Sequence, residues 1–180
     1  MHRLFVALSI PDHIAERLMM LQNGVDGARW RPRDNFHLTL AFVGDTDRHG
    51  FQDALEALSG IEASVFELRL TGVGSFGERK PRAIWAGADA SPSLAHLQNK
   101  VENSLRRRGF DLEKRKYVPH VTLAYLNGAR KDDVERYCAV NGLFSTDRFT
   151  VSDFHLYSSQ LGNEASHYEI EASYSLSSSM

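Results

Sequence analysis

The 180-residue chain predicts an α+β fold: two pseudo-symmetric lobes, each an antiparallel-rich sheet with helices on its outer face, around a central groove. Three observations predict it. The tetrapeptide His-apolar-Thr-Leu occurs twice, as His37-Leu38-Thr39-Leu40 and His120-Val121-Thr122-Leu123. Both copies continue as Ala-aromatic-apolar, in Ala41-Phe42-Val43 and Ala124-Tyr125-Leu126. The order strand, helix, strand, helix, strand also repeats around each copy, which is how an internal duplication reads. Residues 1–180 are expected to form one two-lobed unit, each half carrying one motif strand, with strands open to exchange between lobes.

The elements follow in order. An apolar strand over 4–10 ends at Pro11-Asp12, and Ile14, Leu18 and Leu21 then recur at helical spacing. A loop rich in Gly and Arg leads to the first motif strand, 36–43. Gly44 reads as a turn, followed by a helix over 51–58 and a long strand over 66–73. The second half opens with a strand over 83–87. Ser91-Pro92 then supplies an N-cap and a proline at the first helical position. Leu94, Leu97, Val101 and Leu105 form the apolar stripe of that helix, which stops near Gly109. A basic loop reaches Val118-Pro119 and the second motif strand. Gly128 reads as a turn, and a helix over 132–140 and a strand over 149–157 follow. A last strand, 168–176, alternates, and the tail 177–180 reads as frayed.

Hydrophobic residues at 42% and charged residues at 24% suit a globular chain long enough for a substantial core. A net charge of -2 excludes a protein-wide basic field for holding long duplex nucleic acid, although a locally basic cleft fits it. The one cysteine, Cys138, excludes an intrachain disulfide and points to a reducing cytoplasm. Its helical setting reads as core packing rather than a nucleophile. The apolar run 4–8 is too short for a signal-peptide core or a membrane span, and no later stretch approaches membrane length. A cytoplasmic monomer without a membrane partner is expected.

Successive side chains of a strand point to opposite faces. His37 and Thr39 therefore share one face, as do His120 and Thr122, with the leucines and Val121 behind them. Two imidazoles facing one cleft supply paired general acid and base, since a histidine titrates near pH 6.5. Each threonine lies about 7 Å along the strand from its histidine, too far to orient it and well placed to hold a second oxygen of a tetrahedral or phosphoryl group. Zinc is disfavoured because neither motif has a second His, Cys or carboxylate two to four residues away. No Gly-x-Ser-x-Gly elbow supports a Ser-His-Asp site. Among the other histidines, His155 is the one of interest. Phe42 and Tyr125 either face the cleft or, by strict alternation, pack on the buried face with Leu40 and Leu123. Arginines and lysines gather before each motif (Arg29, Arg31, Arg33; Arg106, Arg107, Arg108, Lys114, Arg115, Lys116) and at Arg79, Lys80 and Arg82. They are either solvated surface or, beside the groove, contacts for phosphate groups.

On these residues the chain resembles the two-histidine phosphoesterase superfamily, and within it the bacterial RNA 2′,3′-cyclic phosphodiesterases, also called 2′-5′ RNA ligases. The resemblance runs nearly full length, through Arg3-Leu4-Phe5-Val6-Ala7, Trp30, both motifs, Pro81-Arg82-Ala83-Ile84-Trp85, Leu156-Tyr157-Ser158-Ser159 and His167-Tyr168. It implies hydrolysis of an RNA 2′,3′-cyclic phosphate end to a 2′-phosphomonoester without metal or cofactor. His37 would be the proton donor, His120 the proton acceptor, and Thr39 and Thr122 the phosphate-binding hydroxyls. Phe42, Arg82 and Tyr125 would be further substrate contacts. Members of that family often carry arginine where this chain has Tyr125. That departure leaves open other nucleotides, such as 2′-5′-linked oligonucleotides or an ADP-ribose cyclic phosphate, and a non-catalytic RNA-end binding module.

Overall fold

The computed structural model describes residues 1–163 and 165–178. The elements run β1 (His2–Ser9), α1 (Asp12–Met19), β2 (Ala28–Trp30), β3 (His37–Thr46), α2 (Arg48–Ser59), β4 (Phe66–Leu68), β5 (Leu70–Phe76) and β6 (Ala83–Ala88). They continue as α3 (Pro92–Arg107), β7 (His120–Leu126), α4 (Lys131–Val140), β8 (Phe149–Val151), β9 (Asp153–Gln160) and β10 (His167–Ser175). The class is α+β, as expected. Ser179 and Met180, half of the tail expected to fray, lie outside the described residues. Ser177 is tied down: its N–H donates to the Ala63 carbonyl and its own carbonyl accepts from Val65, both at 2.9 Å.

The main sheet has the order β10-β9-β1-β3-β7-β6-β5, with β2 paired to β7 as well. Its neighbours are antiparallel throughout. The two motif strands meet at the centre through one residue pair, Leu38 with Val121, the second residue of each motif. An approximate twofold axis passes there, relating β1 to β6, β3 to β7, and β9 to β5. β5, from the first half, pairs with β6 of the second, while β9, from the second half, pairs with β1 of the first. Each expected long strand breaks once, at Arg69 and at Ser152. The chain enters the main sheet at those points, and the pieces that precede them pair as the separate ribbon β4-β8.

Capping chemistry sets the helices. The Ser91 hydroxyl accepts from the Leu94 N–H at 3.1 Å with Pro92 just inside α3, and Leu94, Leu97, Val101 and Leu105 are all buried. The cap of α2 is Asp47, whose carboxylate accepts from the Gly50 N–H at 2.8 Å. Helices α2 and α3 pack against β3, and α4 packs against β5. Cys138, in α4, is half-buried against the core, and burial pushes its thiol pKa up, which fits a packing residue. The Gly- and Arg-rich segment, expected as loop, contributes the short strand β2 against β7. Among the described residues no helix is long and apolar enough to cross a membrane.

Candidate active site

Antiparallel pairing of Leu38 with Val121 sets His37 across from Thr122, and Thr39 across from His120. Leu38 and Val121 are fully buried, so the two imidazoles and two hydroxyls stand on the opposite face. The ladder between β3 and β7 ends after that one pair, and a groove of about 520 Å³ opens there. His37, Thr39, His120 and Thr122 all line it, together with Arg3, Phe5, Phe42, Glu113, Tyr125 and Tyr168.

Each histidine is fixed in the same way. Nδ1 of His37 lies 2.7 Å from the Asn35 carbonyl, and Nδ1 of His120 lies 2.6 Å from the Val118 carbonyl. A carbonyl only accepts, so Nδ1 carries the proton and Nε2 is left for chemistry. The ring packing differs. His37 sits among Phe5 (centroids 4.8 Å apart), Tyr168 (5.2 Å, edge-on) and Tyr157 (6.3 Å). His120 meets Phe76 edge-on at 4.9 Å and Trp85 at 6.0 Å. Trp85 lies flat across Gly74, where a Cβ would come within 2.5 Å of the indole ring.

Burial dominates the electrostatics. It holds the His37 pKa down to about 4; the charges of His120 and Arg31 push the same way, and the bond to Asn35 opposes them. His120 is also lowered, first by burial and then by Arg115. Both rings are therefore neutral in the free protein at pH 7. The Arg31 guanidinium lies 5.0 Å over the Tyr125 ring, a cation–π contact. Burial pushes the Tyr168 phenol up, against the pull of Arg31 and Arg3.

Strict alternation would bury Phe42 and Tyr125 with Leu40 and Leu123. Instead they line the groove, 57% and 48% exposed. A β-bulge at the same motif position in both copies is the cause. Thr39 pairs with Ala7 and Ala41 with Val6, leaving Leu40 unpaired on β1. Thr122 pairs with Trp85 and Ala124 with Ile84, leaving Leu123 unpaired on β6. One extra residue shifts the alternation and turns the next aromatic to the front. A second irregularity in β3 precedes Gly44, whose φ of 90° suits glycine. The residue expected to open a turn thus lies within β3 and lines the groove.

The other expected residues separate. Arg82 is exposed, does not line the groove, and takes part through its backbone, accepting at its carbonyl from the Leu126 N–H at 2.8 Å. His155 is buried on β9, with Nδ1 2.8 Å from the Ser173 hydroxyl and Nε2 3.4 Å from Asp153, and it too stays outside the groove. Several loop and helix cations are held by acids: Arg33 by Asp12, Arg106 by Glu102, and Arg108 by Glu56. Arg115 pairs at 3.2 Å with Glu113, itself a groove residue. Sequence reasoning passed over Arg3, Phe5 and Tyr168 as groove residues. Arg3 and Phe5 belong to the N-terminal segment Arg3-Leu4-Phe5-Val6-Ala7, but only the β1-β3 pairing shows which face they take. Among the described residues no three His, Cys, Asp or Glu are grouped to hold a metal ion.

In sequence and fold the chain is similar to known proteins. The family model described as the 2'-5' RNA ligase superfamily matches residues 10–163. The RNA 2',3'-cyclic phosphodiesterase of Archaeoglobus fulgidus is 30% identical over 161 residues, 86% of this chain and 89% of the relative. Those of Geobacillus stearothermophilus and Aeropyrum pernix are each 36% identical over 53% and 54% of this chain, and the matches span only 31% and 56% of those relatives' lengths. The crystal structure of E. coli LigT complexed with 3'-AMP superposes with a TM-score of 0.81 at 25% identity, covering 97% of this chain and 98% of that one. A Thermus thermophilus protein of known structure gives 0.80 at 25% identity, covering 99% and 100%. The chain belongs to the 2'-5' RNA ligase superfamily.

Proposed function

We propose that the protein hydrolyses RNA 2′,3′-cyclic phosphate ends to 2′-phosphomonoesters by paired histidine catalysis without a metal. The observation that carries this reading is the crossed tetrad of His37, Thr122, Thr39 and His120 in one groove. Curated relatives named RNA 2',3'-cyclic phosphodiesterase support it, as does a LigT structure holding 3'-AMP. The phosphate lies between the two motif strands, its non-bridging oxygens on the Thr39 and Thr122 hydroxyls. His120 Nε2 takes a proton from water as the water oxygen bonds to phosphorus. The bond from phosphorus to the 3′ oxygen breaks, and His37 gives that oxygen a proton. The 2′ ester bond stays intact.

The lowered pKa of His37 fits this role once substrate is bound. An anionic phosphate beside the ring favours imidazolium, so the acid acquires its proton together with the substrate. Phe42 and Tyr125 are stacking platforms for bases, and Arg31, seated over Tyr125, supplies positive charge where relatives often carry arginine in the strand. A cytoplasmic monomer acting on short RNA ends completes the reading.

The test is incubation with nucleoside 2′,3′-cyclic phosphates in EDTA and identification of the product. A 2′-monoester is expected; no turnover, or turnover only with added metal, overturns the proposal. His37→Ala and His120→Ala are each expected to lower turnover about 10²–10⁴-fold. A diester whose leaving group is nitrophenolate needs no proton there, so it should restore the His37→Ala variant and leave His120→Ala impaired. The opposite pattern would exchange the two roles.

A further inference from the structure

We infer that Gln98 and Gln22 are positioning residues that hold the two motif bulges and so aim Phe42 and Tyr125 into the groove. The inference rests on the phosphodiesterase reading, in which those aromatics receive bases. A bulge takes a main-chain carbonyl out of its ladder, and a buried carbonyl needs a donor. The Leu40 carbonyl accepts from Gln98 Nε2 at 3.3 Å, reached from α3. The Leu123 carbonyl accepts from Gln22 Nε2 at 3.2 Å, reached from the segment after α1.

The arrangement follows the twofold axis. Gln98, in the second half, serves the first motif, and Gln22, in the first half, serves the second. Both stand in the same tripeptide, Leu21-Gln22-Asn23 and Leu97-Gln98-Asn99. Each amide is held by another partner. Gln98 also donates to Glu102 at 2.8 Å, whose carboxylate is fixed by Arg106 at 2.7 Å. Gln22 also donates to the Arg31 carbonyl at 2.8 Å. The two sites differ in one respect. The Leu123 carbonyl has a second donor, the Arg31 N–H at 2.8 Å, brought by the chain just past β2. Among the described residues β3 has no counterpart of β2 beside it, and its free edge is met by side chains: the Tyr117 hydroxyl donates to the Thr39 carbonyl at 2.7 Å, and Gln98 donates to Leu40. The Leu40 carbonyl therefore depends on Gln98 more than the Leu123 carbonyl depends on Gln22.

The catalytic residues lie on the other side of each bulge from the aromatics. His37 and Thr39 pair with Ser9 and Ala7 before Leu40. Loss of Gln98 therefore misaims Phe42 and leaves the acid and its neighbouring hydroxyl in register.

The test uses the full chain with Gln98→Met and two substrates, a nucleoside 2′,3′-cyclic phosphate and glycerol 1,2-cyclic phosphate, which has no base. The KM for the nucleotide is expected to rise about tenfold, as when one base–aromatic stack is lost, with kcat and turnover of the base-free ester unchanged. Calorimetry gives a readout independent of turnover: 3′-AMP should bind about tenfold more weakly and inorganic phosphate equally well. Equal losses on both ligands, or no loss on either, overturn the inference. If wild-type protein turns over neither ester, the phosphodiesterase reading fails and the binding pair still decides this one; wild-type protein that binds neither ligand ends both. Should Gln98→Met fail to fold, Gln22→Met carries the same measurements, with a smaller loss expected on the base-bearing ligands because the Leu123 carbonyl keeps the Arg31 N–H. Unfolding of both variants shows structural residues and overturns the positioning role.

Discussion

The burial of His37 makes the fold itself acid-sensitive, and the size of the effect follows from the site. In the unfolded chain the imidazole titrates at its ordinary 6.5, whereas in the folded protein it titrates at about 4. The folded state therefore binds fewer protons than the unfolded state between those values, and stability rises with pH across that window. The contribution is complete above pH 6.5 and is lost as pH falls towards 4. At about 1.36 kcal/mol per pH unit, the full window is worth about 3 kcal/mol, a sizeable part of an ordinary domain's stability. Carboxylates titrate in the same range, so the His37 share is isolated by difference. Urea unfolding of wild type and of His37→Gln at pH 7 and pH 4.5 gives it directly. Wild type should lose about 2–3 kcal/mol more than the variant over that interval. Inorganic phosphate should reduce the difference, because an anion in the groove favours the charged ring. Equal losses in the two proteins would refute the claim that His37 is buried as a neutral base.

Three further outcomes follow from the same site. Both histidines are lowered in the empty groove, so the alkaline limb of kcat/KM, which reports the free enzyme, should lie below 6.5, and the limb of kcat should lie above that of kcat/KM; coincident limbs in a pH–rate series would contradict the protonation argument. Thr39→Val and Thr122→Val should each lower kcat about 10²–10³-fold while the protein stays folded, if the hydroxyls hold the non-bridging oxygens; a change confined to KM would make them ground-state contacts. Gly74→Ala places a Cβ 2.5 Å from the Trp85 ring, and the overpacking should lower stability by about 1–3 kcal/mol, read by thermal melting, and displace the ring that flanks His120; an unshifted melt would show that β5 gives way instead.

The two motif strands, the capped helix α3 and the pairing of each histidine with its threonine on one face were legible because each is a local signal. Alternation places His37 with Thr39, Ser91-Pro92 starts a helix, and a duplicated tetrapeptide needs only to be noticed. The strand breaks at Arg69 and Ser152 were not legible, since they arise where the chain trades one sheet for another across the twofold axis. The faces of Phe42 and Tyr125 stayed open for a related reason. Period-2 reasoning holds only while a ladder is regular, and the bulges at Leu40 and Leu123 are fixed by partners 58 and 101 residues away. The repeated Leu-Gln-Asn was in view, but nothing local links a glutamine on one helix to a carbonyl in the other half. Arg82 shows the converse limit: a basic residue in a suggestive segment serves the fold through its backbone.

A duplicated fold has a difficulty with acid–base chemistry, because equivalent histidines in equivalent surroundings would titrate alike. The exchanged strands break that equivalence where it counts. Tyr157 on β9 and Phe76 on β5 occupy matching places, and so do Ala7 and Trp85, but β10 flanks β9 and, among the described residues, no strand matches it outside β5. Tyr168, carried by β10, closes edge-on over His37 at 5.2 Å, and Phe5 packs the ring at 4.8 Å. His120 has only Phe76 and Trp85 as ring neighbours among the described residues, and an exposed loop carrying Arg115 nearby. The extra strand thus desolvates one imidazole on top of a hydrogen-bonding scheme that is the same for both. Removing its aromatic cover should bring the two back together: Tyr168→Ala is expected to raise the His37 pKa towards 6.5 and leave His120 unmoved, as followed by the ring-proton shifts of the two histidines. A His37 resonance that keeps its titration midpoint in that variant would place the cause in β1 and β3 rather than in the added strand.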